Sequence, residues 1–190
     1  MEKKLNGKNI LMIIASKDFR DEEYFIPIDV FQKNDANIIT ASSVKGEVVG
    51  IEGGEARSTL TLKEVSAKNF DAIVFVGGEG AKEFFDDAEA HKVIREAVKY
   101  DKVLGAICIA PIILARAGVL RKKNATVWSS ILDKSGVKEL EEAGSRVSEE
   151  RVVKDEKIIT ADGPAVAQEF AETVVEAMIE KNEQNKDYSV

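Results

Sequence analysis

Short, mostly apolar runs alternate along this chain with longer stretches whose apolar residues recur at helical spacing. Residues 9–15 (NILMIIA), 37–41, 71–76 (DAIVFV) and 103–107 are runs of the first kind. They are too short for helices and lack the polar alternation of half-exposed strands, so they predict strands buried on both faces. Residues 21–34 predict a helix with Tyr24, Phe25, Ile28 and Phe31 on one face. Further helices are predicted over residues 87–100, 111–117, 134–143 and 165–181, the second of them closed by Gly118. Residues 47–62 alternate weakly around Gly50, Gly53 and Gly54 and predict a hairpin. A strand is also expected at 126–128, and a strand pair at 151–154 and 157–161.

Strands and helices in this order predict a single α/β domain. Its architecture is a doubly wound, mostly parallel sheet with helices on both faces. The domain is expected over residues 1–181, with a polar tail at 182–190. Ligands in such sheets bind beyond the carboxyl ends of the strands. Functional residues are therefore expected just after Ala15, Val76, Ile107 and Ala161.

Composition narrows the chemistry. A single Cys in 190 residues closes no internal disulfide, which fits a reducing cytoplasm. One Cys and one His do not make a four-ligand zinc site, and no metal or cofactor is expected. Asp and Glu number 34 against 27 Lys and Arg, a net charge of −7 without a basic block. That balance lacks the footprint for nucleic acid or an anionic membrane. The longest apolar run, residues 103–115, is too short to span a bilayer and is interrupted by Pro111. Met1-Glu2-Lys3-Lys4-Leu5 is followed by no apolar segment of the signal-peptide kind, so a cytoplasmic location is expected.

Cys108 falls at one of the predicted strand ends. Ala106 stands two residues before it, Ala110 two after, and Pro111 opens the next helix. Small residues at those offsets are what a tight strand-to-helix elbow demands, because larger side chains would collide there. A thiol at such a helix start feels partial positive charge, which predicts a pKa below the free value of about 8.5. The plain alternative is that Cys108 is a small buried hydrophobe. Gly77-Gly78 follows DAIVFV, where glycine presents an unobstructed N–H. The amides of Gly78 and Ile109 are placed to hold an oxyanion over Cys108. Gly78-Glu79-Gly80 also begins a dinucleotide-type G-x-G-x-x-G, but Glu83 occupies the third glycine position. Asp21-Glu22-Glu23 lies after the first strand, either as a solvated helix start or with one carboxyl facing Cys108. A carboxyl touching a thiolate is expected to be protonated, since an ionised one would repel it.

Together these segments resemble the DJ-1/PfpI (ThiJ/PfpI) superfamily, which implies a flavodoxin-like fold related to class I glutamine amidotransferases. The segments are residues 22–30 (EEYFIPIDV), Val76-Gly77-Gly78, residues 106–111 (AICIAP) and Asp162-Gly163-Pro164. The resemblance implies Cys108 as elbow nucleophile and Glu23, four residues before Pro27, as its protonated partner. It implies Gly78 and Ile109 as oxyanion-hole amides, with Gly77, Trp128, Asp162 and Pro164 around the pocket. It also implies a homodimer or higher homo-oligomer.

The activity implied is cofactor-independent chemistry on small reactive carbonyls, of the glyoxalase or deglycase type, in stress defence. A second reading is a redox sensor or chaperone-like dimer that works through oxidation of Cys108. A third is an intracellular peptidase or amidase, but the peptidase-like branch carries a His directly after the Cys, where this chain has Ile109. His91 is expected at the surface, on the first turn of its helix. Asp162 is expected either to face the site and repel anions or to cap the last helix.

Overall fold

The apolar runs form the middle of a seven-stranded sheet. The computed structural model describes residues 4–184, with 181–184 by backbone alone. In chain order the strands are β1 (Asn9–Ile13), β2 (Lys17–Phe19), β3 (Asn37–Ser42), β4 (Gly46–Gly50), β5 (Glu55–Ser58) and β6 (Leu60–Thr61). They continue with β7 (Ala72–Phe75), β8 (Val103–Ile107), β9 (Asn124–Ala125), β10 (Arg146–Val147), β11 (Val152–Asp155) and β12 (Ile158–Ala161). The helices are α1 (Asp21–Lys33), α2 (Ala88–Lys99), α3 (Pro111–Arg116), α4 (Ser135–Glu142) and α5 (Ala167–Gln184).

The main sheet has the order β11-β12-β8-β7-β1-β3-β6. Every pairing in it is parallel except β11 with β12. Strands β1, β7 and β8 are buried along almost their whole length, which is why their sequences are apolar throughout. Helices α1 and α5 pack on one another over one face, and α2 and α3 cover β8 from the other side. The chain leaves β1 toward β3 and later returns to β7 on β1's other flank. This reversal opens a crevice at the carboxyl ends of β1 and β7, the ligand-binding position of doubly wound folds.

The predicted hairpin is present as β4 and β5, joined by β2 in a small separate sheet. Other details differ from expectation. Residues 126–128 form no strand; the short β9 precedes them and pairs with β10. Their amides serve other partners: Thr126 N–H donates to Thr160 Oγ1 (2.9 Å) and Trp128 N–H to the Cys108 carbonyl (2.9 Å). On α1 the buried stripe is Glu23, Tyr24, Pro27 and Phe31, whereas Phe25 is exposed and packs on the β4–β5 turn at Gly54. Tyr24 ties α1 to β3 through a 2.7 Å hydroxyl bond with Thr40. The last helix begins at Ala167, after a 3-10 turn at Pro164–Val166, and continues to Gln184. The domain boundary expected at residue 181 therefore falls inside α5, and residues 185–190 of the expected tail lie outside the described residues.

Gly105 shows how closely α5 lies on the strand that carries Cys108. A Cβ at Gly105 would stand 2.9 Å from Phe170 Cζ and 3.4 Å from Val74 Cγ2. Gly105→Ala is expected to cost about 1–3 kcal/mol by overpacking. Adding Phe170→Leu is expected to recover part of that loss. Urea denaturation of the single and double variants measures both effects.

Candidate active site at Cys108

The strand-to-helix turn after β8 is an elbow. Cys108 has φ +64°, in the left-handed region that a non-glycine residue enters at a cost of about 1–2 kcal/mol. The flanking structure holds it there. Cys108 N–H donates to the Ala161 carbonyl at the end of β12 (2.9 Å), and the Cys108 carbonyl accepts from Trp128. Ala106 and Ala110 are fully buried on either side. Pro111 takes the first position of α3, where its missing N–H leaves nothing unpaired.

Glu23 reaches this elbow from the first turn of α1 and is completely buried. Its Oε2 accepts the Gly77 N–H at 3.0 Å. Oε1 has no conventional hydrogen-bond partner, although the carboxyl interacts with the Cys108 thiol. Gly77 makes that approach possible. A Cβ there would stand 2.6 Å from both Cys108 Cβ and Glu23 Oε2. Pro27 cannot donate to the carbonyl of Glu23, four residues earlier, so the helix is locally released from its own hydrogen-bond ladder at this point.

The amides of Gly78 and Ile109 both act on the Cys108 sulfur. Gly78 has φ +93°, and a Cβ there would collide with the backbone of Asp18 and Phe19. Trp128 is 38% exposed, and its indole Cδ1 stands 3.6 Å from the position of a Gly163 Cβ. Pro164 opens the 3-10 turn that follows. Asp162 neither caps that turn nor stands as an isolated charge; Arg151 grips both its oxygens at 3.0 and 3.2 Å. The structure thus brings Cys108, Glu23, Gly77, Gly78 and Ile109 together, with Trp128 and Gly163 beside them. His91 is engaged elsewhere, its Nε2 in a 2.8 Å contact with the Phe85 carbonyl. Among the described residues no group of three or more His, Cys, Asp or Glu side chains converges as metal ligands would.

Two neighbours of the candidate site were missed in the sequence. Arg20 donates its N–H to the Gly77 carbonyl (3.1 Å), and its positive charge acts on Glu23. Nothing in its spacing marked it. Arg151 did leave a signal, because antiparallel pairing of Val152 with Ala161 places residues 151 and 162 opposite one another.

The electrostatics correct one expectation. Burial, and then the negative charge of Glu23, push the Cys108 thiol up to about 12, against the pull of the Gly78 and Ile109 amides. The expected acidic thiol relied on a helix start, but α3 is a six-residue helix and Cys108 is only 8% exposed. Burial also pushes Glu23 up to about 7, countered by the thiol, the Gly77 amide and Arg20. Below about pH 7 both groups keep their protons. Between about 7 and 12 the pair carries a single proton.

A model of the DJ-1/PfpI family matches residues 8–177. The chain belongs to the DJ-1/PfpI family. It is 40% identical to an uncharacterized protein of Methanocaldococcus jannaschii, over 96% of this chain and 89% of that protein. It is 27% identical to the glutathione-independent glyoxalase DJR-1.2 of Caenorhabditis elegans, over 90% of this chain and 89% of that one. The crystal structure of a ThiJ/PfpI domain protein from Brachyspira murdochii superposes with a TM-score of 0.86 at 30% identity, covering 92% of this chain and 99% of the other.

Glu23 gives this family member a distinctive dependence of stability on pH. Its folded pKa of about 7 lies above the ordinary 4.5. The native state therefore binds the extra proton between those values, and stability falls as pH rises through that window. The full loss is about 3 kcal/mol. Glu23→Gln is expected to flatten that fall and to be more stable than wild type at pH 8. Urea titrations of both proteins at pH 5 and pH 8 test this; parallel losses in the two would count against a buried, protonated Glu23.

Proposed function

We propose that this protein is a cofactor-independent cysteine enzyme acting on small 2-oxoaldehydes, of the glyoxalase type. The observation that carries the proposal is the buried Glu23 carboxyl held beside an elbow cysteine by the Gly77 amide. One proton shared between two acids is what a nucleophile with an attached proton shuttle requires.

In the reactive form, the minor arrangement of the pair's single proton, Glu23 holds that proton and Cys108 is the thiolate. The sulfur attacks the aldehyde carbon and the carbonyl electrons move to oxygen, facing the N–H groups of Gly78 and Ile109. Glu23 protonates that oxygen to give a hemithioacetal and becomes a carboxylate. It then removes the hydrogen on the former aldehyde carbon, forming an enediol. Reprotonation at the neighbouring carbon leaves a 2-hydroxyacyl thioester, and water hydrolyses it. One carbon is oxidised while its neighbour is reduced, so no external oxidant enters. The product is a 2-hydroxycarboxylate, and Cys108 is regenerated.

A relative named as a glutathione-independent glyoxalase supports this reading at the level of reaction type. The peptidase reading lacks its histidine partner, since Ile109 follows the cysteine and His91 bonds the Phe85 carbonyl. Exposed Phe25, Val49 and Ile51 lie on α1 and the adjoining β4–β5 hairpin. They form the surface through which two copies associate in this reading.

Methylglyoxal turnover is expected in the wild type, absent in Cys108→Ser and reduced at least about 100-fold in Glu23→Gln. Mass-spectrometric sulfinate on Cys108 after peroxide, with no turnover of any 2-oxoaldehyde, would replace this reading with the redox sensor. Sedimentation is expected to show a dimer that Ile51→Asp converts to monomer.

A further inference from the structure

Asp21 opens α1 two residues before Glu23, and it does not behave as an acidic helix start usually does. No side chain caps this helix; the cap position is the Arg20 backbone. Asp21 instead points both carboxylate oxygens at another segment. Oδ2 accepts the N–H of Glu52 (2.8 Å) and Oδ1 the N–H of Gly54 (2.7 Å). Asp21 as a whole residue is 8% exposed. The segment it holds is the turn between β4 and β5, closed by Gly50 N–H to the Gly54 carbonyl (2.8 Å) and Gly53 N–H to the Gly50 carbonyl (3.1 Å). A Cβ on Gly50 or on Gly54 would collide with the Asp21 carboxylate, so the turn is shaped around it.

Further contacts bind the same turn to the residues just before α1. Ile51 N–H donates to the Phe19 carbonyl (2.9 Å), and the Arg20 guanidinium lies 3.5 Å from Glu52 Oε1. Arg20 N–H in turn bonds the carbonyl of Gly77, whose own N–H holds Glu23. The start of α1 is thus clamped between the β4–β5 turn and the Gly77 loop, and Glu23 lies on that clamped turn.

We propose that Asp21 is a positioning residue for the Glu23–Cys108 pair, holding the first turn of α1 against the β4–β5 turn so that Glu23 stays buried beside the thiol. This rests on the reading of Glu23 and Cys108 as one reactive pair, and not on which carbonyl that pair attacks. The charged and titratable groups acting on Glu23 are Arg20, Glu22 and the Cys108 thiol. Asp21 acts through geometry: without it the first turn loosens, water reaches Glu23, and its proton affinity falls toward that of an ordinary carboxylate.

The test is the rate of Cys108 alkylation by iodoacetamide from pH 4 to 10, which needs no substrate. In the wild type the rate is expected to rise through the first ionisation of the pair, near 7, and then reach a plateau. In Asp21→Ala the midpoint is expected to fall by at least about one pH unit and the plateau about tenfold, because less of the shared proton resides on Glu23. Gly54→Ala leaves the sequence of α1 intact but drives a methyl group into the same carboxylate, and the same two changes are expected. It decides the question even where Asp21→Ala fails to fold. Variants that melt earlier yet keep the wild-type midpoint and plateau would reduce Asp21 to a brace for the hairpin and overturn the proposal. A wild-type profile with one midpoint near the free-thiol value of about 8.5 would overturn the pairing of Glu23 with Cys108, and this proposal with it.

Discussion

The hydrogen bond from the Gly77 amide to Glu23 is the contact on which the site depends. It joins residues 54 positions apart in sequence, one on the first helix and one after a central strand. It places a carboxyl in a region where a carboxylate is poorly solvated, and it leaves that carboxyl one unsatisfied oxygen. Glycine is required at this junction, because any side chain would occupy the space that Glu23 and Cys108 share. The reversal of strand order between β1 and β7 brings the two segments to one crevice. Topology thus supplies proximity, and the missing Cβ turns proximity into contact.

Much of this was legible in the chain. Fully apolar runs report strands covered on both faces, and β1, β7 and β8 are buried as those runs require. The small residues around Cys108 report a tight turn, and the turn is there with its cysteine at positive φ. Less legible was whatever depends on partners distant in sequence. Residues 126–128 have strand-like composition, yet their amides go to Thr160 and the Cys108 carbonyl in place of a ladder. Phe25 matches the helical stripe, but a glycine turn offers its ring another surface. Periodicity records which residues avoid water, not which of two apolar surfaces receives them.

The thiol shows a similar limit from the side of electrostatics. Local sequence identifies a helix start beside Cys108 and so predicts an acidic thiol. Burial depends on everything packed around the elbow, and it favours the neutral form. Neither group of the pair is tuned alone. Burial raises both groups together, so the gap between them stays wide and the shared proton rests mainly on the thiol. At the rim, Arg151 pairs with Asp162, the residue before the Gly163 that the Trp128 ring approaches.

The bond from Cys108 N–H to the carbonyl of Ala161 has a consequence for the birth of the protein. A chain emerging from the ribosome presents residue 108 long before residue 161. Until β12 is made and docked, the cysteine lacks one of the two backbone bonds that hold its left-handed conformation, and β8 lacks one of its two neighbours. Non-local pairing of this kind slows folding. Here it also means that the turn at Cys108 is completed only after most of the domain has been synthesised.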